Sequence, residues 1–191
     1  MKKGICSIAI ALFGCIVLYP LATLALEGTL NEASIDSVFK VEGKKDLFRS
    51  TNFYFGGQPN LETLRWLKSE GVTVVINLRS EKENREFAES SFNEETVAKE
   101  LGMSYVSIPL GEKGTYRPQA VDTFAIVLRA NKGKALIHCL SAGRVTFLWM
   151  AYLVRHRGYS LDDAATIGRR IKYPTQLEDL LGAKISLTIL K

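Results

Sequence analysis

The residues best suited to chemistry lie together at positions 137–144, in the sequence Ile-His-Cys-Leu-Ser-Ala-Gly-Arg. The apolar segment that ends at His138 predicts a buried strand, and the apolar run after Arg144 predicts a helix. A small-residue loop between a strand and a helix can direct main-chain N–H groups toward an anion at the positive end of the helix dipole. The same field favours the thiolate form of a cysteine, so Cys139 is the predicted nucleophile.

Arg144 supports this interpretation, because a cation at a helix N-terminus opposes the helix dipole unless it has another role. A guanidinium folded over a bound oxyanion or over the thiolate would supply that role. The predicted anion-binding loop consists of Leu140, Ser141, Ala142 and Gly143. The alternative is that Cys139 only packs in the core while Arg144 is solvated.

The remaining sequence predicts the elements that position this loop. From Leu47 onward, strand-like and helix-like segments alternate, which is typical of an α/β fold with a mostly parallel central sheet between two layers of helices. The predicted strands are 52–55, 72–78, 104–110 and 134–139, and the main predicted helices are 61–70, 94–101, 144–157 and those beginning at 118 and 160. Residues 80–91 are an acidic, polar stretch with no predicted element.

In an open parallel sheet, ligands bind beyond the carboxyl ends of the strands. Asn77 and Cys139 lie at the ends of predicted strands, and Arg79 and Glu112 lie just after such ends, so all four are expected at one edge. Arg79 is predicted to steer an anionic substrate or to hold the loop, with a structural ion pair to a nearby glutamate as the alternative. Asn77 is predicted to support the site through hydrogen bonds at a strand end.

The N-terminus predicts export from the cytoplasm. Lys2 and Lys3 precede an apolar run, and Ala25 suits a cleavage site, so residues 1–25 are predicted to be a secretory signal. An uncleaved membrane anchor is the alternative. Residues 26–46 are predicted to be a linker and 47–191 the folded domain. The mature protein would then be periplasmic or secreted, with Cys139 as its single cysteine.

Composition excludes several classes of protein. The chain is 47% hydrophobic and 24% charged, which is ordinary for a globular domain. Its formal charge of +5 is dispersed rather than concentrated in a stripe, so no nucleic-acid partner is predicted. The two histidines are far apart, so no metal site is predicted. No dinucleotide or Walker motif is present, so no cofactor is predicted.

Five segments resemble the bacterial beta-lactamase-hydrolase-like phosphatase domain, a tyrosine/dual-specificity phosphatase-like group of the cysteine phosphatases. They are FYFGGQP (53–59), VTVVINLRSE (72–81), LGMSYVSIPL (101–110), IHCLSAGRV (137–145) and YSLDDAATIGRRIKY (159–173). The resemblance implies a phosphocysteine intermediate on Cys139, with Arg144 holding the phosphoryl oxygens and His138 supporting the thiolate. It also implies an acid on an upstream loop that protonates the leaving group.

Two features differ from the phosphatase pattern. Only four residues separate Cys139 from Arg144, one fewer than in the phosphatases and the same number as in rhodanese-type sulfurtransferases. Residues 109–118 contain no aspartate, and Glu112 is their one carboxylate, hence the candidate general acid. Three functions remain open: an exported phosphatase acting on an anionic phosphate ester, a sulfurtransferase carrying a persulfide on Cys139, and a non-catalytic module that binds anions or phosphopeptides.

Overall fold

The computed structural model describes residues 37–172 and 180–183. Within them, one sheet contains the strands β1 (Phe39–Lys40), β2 (Leu47–Arg49), β3 (Phe53–Gly56), β4 (Val72–Asn77), β5 (Ser104–Ser107) and β6 (Lys134–His138). The helices are α1 (Leu61–Ser69), α2 (Glu81–Ser90), α3 (Glu94–Glu100), α4 (Pro118–Ala130), α5 (Gly143–Arg157) and α6 (Leu161–Arg169). In the described part of the chain, no helix is long and apolar enough to cross a membrane.

The strand order is β1-β2-β3-β6-β4-β5. The four strands β3, β6, β4 and β5 run parallel, while β1 and β2 join one edge in antiparallel pairs. Strand β6 is therefore central, and His138 at its end is in register with Gly56 on one side and Asn77 on the other. The predicted α/β fold with a mostly parallel, helix-flanked sheet is confirmed.

Helices cover both faces of the sheet because successive strand residues point to opposite sides. In β4, Val74 and Ile76 belong to the core cluster that α4 and α5 cover. Val75 faces the other way and packs in a second cluster with Leu64 of α1 and Ala98 of α3. Burial on both faces explains why the centres of the two strands, 74–76 in β4 and 135–137 in β6, are continuous apolar runs rather than alternating ones.

Helix α5 carries the loop of interest at its N-terminus and is buried over most of its length. Its buried residues run continuously from Val145 to Leu153. Trp149 is the centre of this contact, with its ring centroid 4.8 Å from those of Phe53 and Phe55 in β3. A helix packed on nearly all sides is held firmly in the core, so its first turn has a fixed position relative to the ends of β3 and β6.

The structure differs from the sequence predictions at several points. Residues 81–90 form helix α2, which was missed because it has no buried apolar residue. The helix begins with a reciprocal cap, in which the side chains of Ser80 and Glu83 each accept a hydrogen bond from the other residue's main-chain N–H. Phe39–Lys40 forms strand β1 within the predicted linker, so that stretch reaches into the sheet. Strand β5 ends at Ser107, three residues early. The predicted signal, residues 1–25, lies outside the described residues.

Candidate active site

The loop after β6 is tied to the end of β3. The main-chain N–H of Cys139 donates to the Gly56 carbonyl at 3.2 Å, and that of Gln58 donates to the Leu140 carbonyl at 3.1 Å. A Cβ on Gly57 would lie 3.0 Å from the Leu140 oxygen, so glycine favours this close approach. Cys139 is 1% exposed, whereas Leu140, the next residue, is 58% exposed. The thiol therefore lies at the base of the loop.

The loop turns into α5 at Ala142, whose φ of 64° is in the left-handed region. Ser141 precedes this turn, and helix α5 begins at Gly143. Among the described residues, no acceptor is bonded to the main-chain N–H groups of four loop residues: Leu140, Ser141, Gly143 and Arg144. Unpaired amides at the start of a helix form a site for an anion. The anion-binding role of this loop stays a prediction, and its unpaired amides are compatible with it.

Arg144 is fixed by three groups. Its two terminal nitrogens each donate to an oxygen of Glu83 at 2.6 Å. Nη1 also donates to the main-chain carbonyls of Leu110, at 2.8 Å, and Leu78, at 3.3 Å. A guanidinium has five N–H groups, so two of them, Nε–H and one on Nη2, keep no partner within the described residues. These two remain available for an anion.

The charged groups next to Arg144 shift its pKa, and Arg144 in turn shifts the pKa of Glu83. Burial lowers the pKa of Arg144, but Glu83 and the neighbouring Cys139 outweigh burial and raise it above its ordinary value. The hydrogen bond from Arg144 lowers the pKa of Glu83 to about 2 against the effect of partial burial. Both groups are therefore charged at neutral pH. Glu83 was not among the predicted site residues, because α2 was not predicted; the Ser80-x-x-Glu83 spacing of a capping box was the available signal.

The loop between β5 and α4 lies against Arg144. A Cβ on Gly111, whose φ is 119°, would lie 3.0 Å from Arg144 Nη1, so glycine permits the close approach. Thr115 Oγ1 accepts from the N–H groups of Gly111 and Glu112 and holds this turn together. Glu112 itself is exposed, and its carboxylate has no hydrogen-bond or ion-pair partner among the described residues.

Tyr116, on the same loop, is half-buried near the thiol. Its ring lies edge-on to Phe147 of α5, with centroids 6.4 Å apart. Burial raises the pKa of Tyr116, Arg144 opposes this, and the charge of Cys139 raises it further. The phenol therefore stays protonated at neutral pH, and its hydroxyl has no hydrogen-bond partner in the described residues.

Behind the loop lies a buried polar network centred on Glu94, the first residue of α3. Its carboxylate is bonded to Asn77 and Arg79, each at 3.2 Å. The His138 ring nitrogen Nε2 also lies 3.2 Å away, but out of line for a hydrogen bond, so that contact is electrostatic. Burial raises the pKa of Glu94, but His138 and Arg79 outweigh it, and the net shift is downward. Glu94 was missed in the sequence because a glutamate at a helix start is ordinary.

This network corrects one expectation. The Arg79 side chain is 2% exposed, is paired with Glu94 and lies over the Phe87 ring, so it does not contact substrate as predicted. The alternative was a structural ion pair with Glu81 or Glu83; Arg79 does form such a pair, but with Glu94. Asn77 and His138 are both fully buried next to Glu94, and their support of the site stays a prediction. Within the described residues, no three His, Cys, Asp or Glu side chains form a cluster that could hold a metal.

The central strand of the mostly parallel sheet is followed by a cysteine, by unpaired main-chain amides and by a helix whose first turn holds an anchored arginine. This arrangement defines the cysteine phosphatase class of fold. A family model described as DSP-PTPase phosphatase fused to NAD+ kinase matches residues 30–170. The chain belongs to this family of dual-specificity phosphatase-like domains, which confirms the resemblance seen in the sequence. No curated protein matches the chain.

Several solved structures are similar to this chain. A DUF442 protein from Shewanella putrefaciens CN-32, described as a candidate phosphatase, is 26% identical over 64% of this chain and 80% of its own, with a TM-score of 0.51. A Neisseria meningitidis Z2491 protein with the same description is 16% identical over 73% and 96%, with a TM-score of 0.56. Kinase associated phosphatase, with its catalytic cysteine replaced by serine, is 17% identical over 70% and 89%, with a TM-score of 0.58. The last two show the fold alone.

Proposed function

We propose that this protein is a cysteine-dependent phosphatase that hydrolyses an anionic phosphate ester through a phosphocysteine on Cys139. The observation that carries the proposal is the unpaired amides of the loop beside a charged, anchored Arg144. These groups suit a phosphoryl group, whose equatorial oxygens carry negative charge through the transition state. Family membership supports the same chemistry.

The proposed reaction has two steps. The Cys139 thiolate attacks phosphorus, so that a P–S bond forms while the P–O bond to the leaving group breaks and its electron pair stays with the leaving oxygen. Glu112 gives that oxygen a proton. Water then attacks phosphorus and gives a proton to the Glu112 carboxylate, and the P–S bond breaks to release inorganic phosphate and the thiolate. No external oxidant or reductant is required.

Glu112 is proposed as the acid because it is the one carboxylate of the loop that Arg144 holds through Leu110 and Gly111. Its exposure suits a group that must meet the leaving oxygen of a large ester and then a water molecule. Loop residues that complete a site on substrate binding are common in enzymes.

The test is turnover of p-nitrophenyl phosphate by the purified protein. Turnover that disappears in Cys139→Ser, together with a phosphate adduct on Cys139 after rapid acid quenching, supports the proposal. A matched control is Cys6→Ser/Cys15→Ser, which removes the other two cysteines of the chain and is expected to keep full activity. Absence of turnover across the acid-to-alkaline range would overturn the proposal.

A sulfurtransferase is the second candidate, and the four-residue spacing between Cys139 and Arg144 favours it. In that reaction the thiolate takes the outer sulfur of a donor such as thiosulfate, releases sulfite and passes the sulfur on to cyanide. Incubation with thiosulfate followed by intact mass measurement tests it. A cyanide-labile gain of one sulfur on Cys139, without phosphate ester turnover, would replace the first proposal with the second.

We also propose that the domain works outside the cytoplasm, in the periplasm or as a secreted protein. The proposal rests on the signal-like sequence of residues 1–25. Fractionation of cells that make the full chain, with N-terminal sequencing of the product, tests it. A product that begins near residue 26 outside the cytoplasm supports export; an intact N-terminus in the membrane fraction indicates an anchor, and an intact N-terminus in the cytoplasm contradicts export.

A further inference from the structure

One buried carboxylate connects all four parallel strands or the residues just after them. Glu94 contacts side chains that lie in or just after each of them, and these are Gln58 after β3, Asn77 and Arg79 at the end of β4, Tyr105 in β5 and His138 at the end of β6. Each hydrogen-bonding neighbour presents an N–H or O–H group, and the Glu94 side chain is 2% exposed. Donors on this many sides favour the ionised form of the carboxylate.

Two of these contacts lead directly to the cysteine loop. His138 immediately precedes Cys139, and within the described residues neither of its ring nitrogens has a hydrogen-bond partner; the Glu94 oxygen at 3.2 Å is the polar group that orients the ring. Gln58 is bonded to Glu94 through its side chain at 3.2 Å and to the Leu140 carbonyl through its main chain at 3.1 Å. Glu94 is thus connected to both ends of the Cys139–Leu140 peptide.

Charge is also balanced at this point. The buried guanidinium of Arg79 is paired with Glu94, and its Nε has no partner in the described residues. The pKa of Glu94 is shifted downward, in agreement with an ionised carboxylate. Glu94 therefore cancels the charge of Arg79, and Arg144 and Glu83 form a second ion pair at the start of α5.

We propose that Glu94 is a positioning residue of the phosphatase: it holds His138 and Gln58, and through them the cysteine loop, and it cancels the charge of Arg79 behind the thiol. This inference rests on the proposed function for its effect on turnover. Its effect on the thiol itself can be measured independently.

Glu94→Gln separates this role from a purely structural one. The new amide must turn its NH₂ toward one set of donors, so part of the network loses its acceptor and the loop shifts. Arg79 meanwhile keeps an uncancelled positive charge, which favours the thiolate. We therefore expect slower turnover together with thiolate formation at lower pH. If the substitution only loosened the loop, Cys139 would instead react like an ordinary thiol, and its alkylation midpoint would move to higher pH.

The experiment measures the rate of Cys139 alkylation by iodoacetamide as a function of pH, alongside turnover of p-nitrophenyl phosphate. In Glu94→Gln we expect the alkylation midpoint to fall by about half a pH unit or more and kcat to fall by about tenfold. The matched control is Glu95→Gln on the same helix, because Glu95 is exposed and paired with Lys99. This control is expected to leave the alkylation midpoint and kcat unchanged. A midpoint that stays in place or rises in Glu94→Gln overturns the proposal.

A second variant tests the proposal if Glu94→Gln fails to fold. Gln58→Leu removes one hydrogen bond to Glu94 and keeps the Arg79 ion pair, so kcat is expected to fall while the alkylation midpoint stays in place. Unchanged kcat in a folded Gln58→Leu protein would overturn the positioning role. If the wild type lacks turnover, the proposed function fails, and the alkylation midpoint of Glu94→Gln still decides the role of Glu94.

Discussion

Arg144 and Glu83 form a two-point ion pair in which each carboxylate oxygen lies 2.6 Å from a guanidinium nitrogen. The same carboxylate caps helix α2 by accepting from the Ser80 N–H at 2.8 Å. The start of α2 and the start of α5 are therefore fixed to each other. An arginine held in this way loses less side-chain freedom when it binds an anion, which favours tight binding.

Glu83→Gln tests the stability that this pair supplies. The pKa of Glu83 is lowered from 4.5 to about 2 in the folded protein, so its contribution is fully present above pH 4.5 and is lost as pH falls toward 2. We expect Glu83→Gln to destabilise the fold by on the order of 2 kcal/mol at neutral pH. Denaturant unfolding at a series of pH values measures this. The difference between wild type and variant should shrink below pH 4.5, and a difference independent of pH would contradict the assignment.

Arg144→Lys tests the two-point geometry rather than the charge. A lysine keeps the positive charge but cannot bond both oxygens of Glu83 and also present N–H groups to a phosphoryl group. We expect kcat/KM to fall by about 10²-fold. Arg155→Lys is the matched control, because Arg155 is on the same helix and forms a two-point pair with Asp122 on the surface. A loss of similar size in the control would show a general effect on α5.

Ala142→Gly tests the strain stored where the loop turns. Ala142 has a φ of 64°, which is unfavourable for any residue with a Cβ. Glycine removes that strain but adds freedom to the unfolded chain, so we expect stability to be unchanged or higher by up to about 1 kcal/mol. Ala151→Gly, within α5, is the control and is expected to destabilise by about 1 kcal/mol or more. Equal destabilisation by both variants would contradict a strained Ala142.

The sequence predicted the fold well because its elements are separated by clear signals. Buried β-branched runs such as 72–78 identified the parallel strands, and Asn60 and Ser160 identified helix starts. Helix α2 was missed because its stability comes from the Ser80–Glu83 cap and from contacts at one end, with no apolar face to produce a periodic pattern. Strand β1 is two residues long and has no periodicity to detect.

Prediction of the site was strong for residues contiguous in sequence and weak for those brought together by folding. The segment from His138 to Arg144 carries its own signal, a strand, a small-residue loop and a helix. Glu83 and Glu94 lie 61 and 44 residues before Arg144 and His138, respectively, and both are ordinary glutamates in the first turn of a helix. Only the sheet register, which places β4 beside β6, shows that they converge on the cysteine loop. Arg79 was misassigned for the same reason, since its burial depends on α3.

Glu112→Gln tests proton donation to the leaving group. If Glu112 is the acid, the variant should hydrolyse phenyl phosphate about 10²-fold more slowly, because a poor leaving group needs the proton. Its first-turnover release of p-nitrophenolate should be almost normal, because that leaving group departs as an anion, while steady-state turnover slows because hydrolysis of the phosphocysteine still needs the Glu112 carboxylate. Tyr116→Phe is the comparison variant, since its hydroxyl has no partner in the described residues and the pKa of Tyr116 is raised. A leaving-group effect in Tyr116→Phe and none in Glu112→Gln would assign the proton to the phenol and reject Glu112.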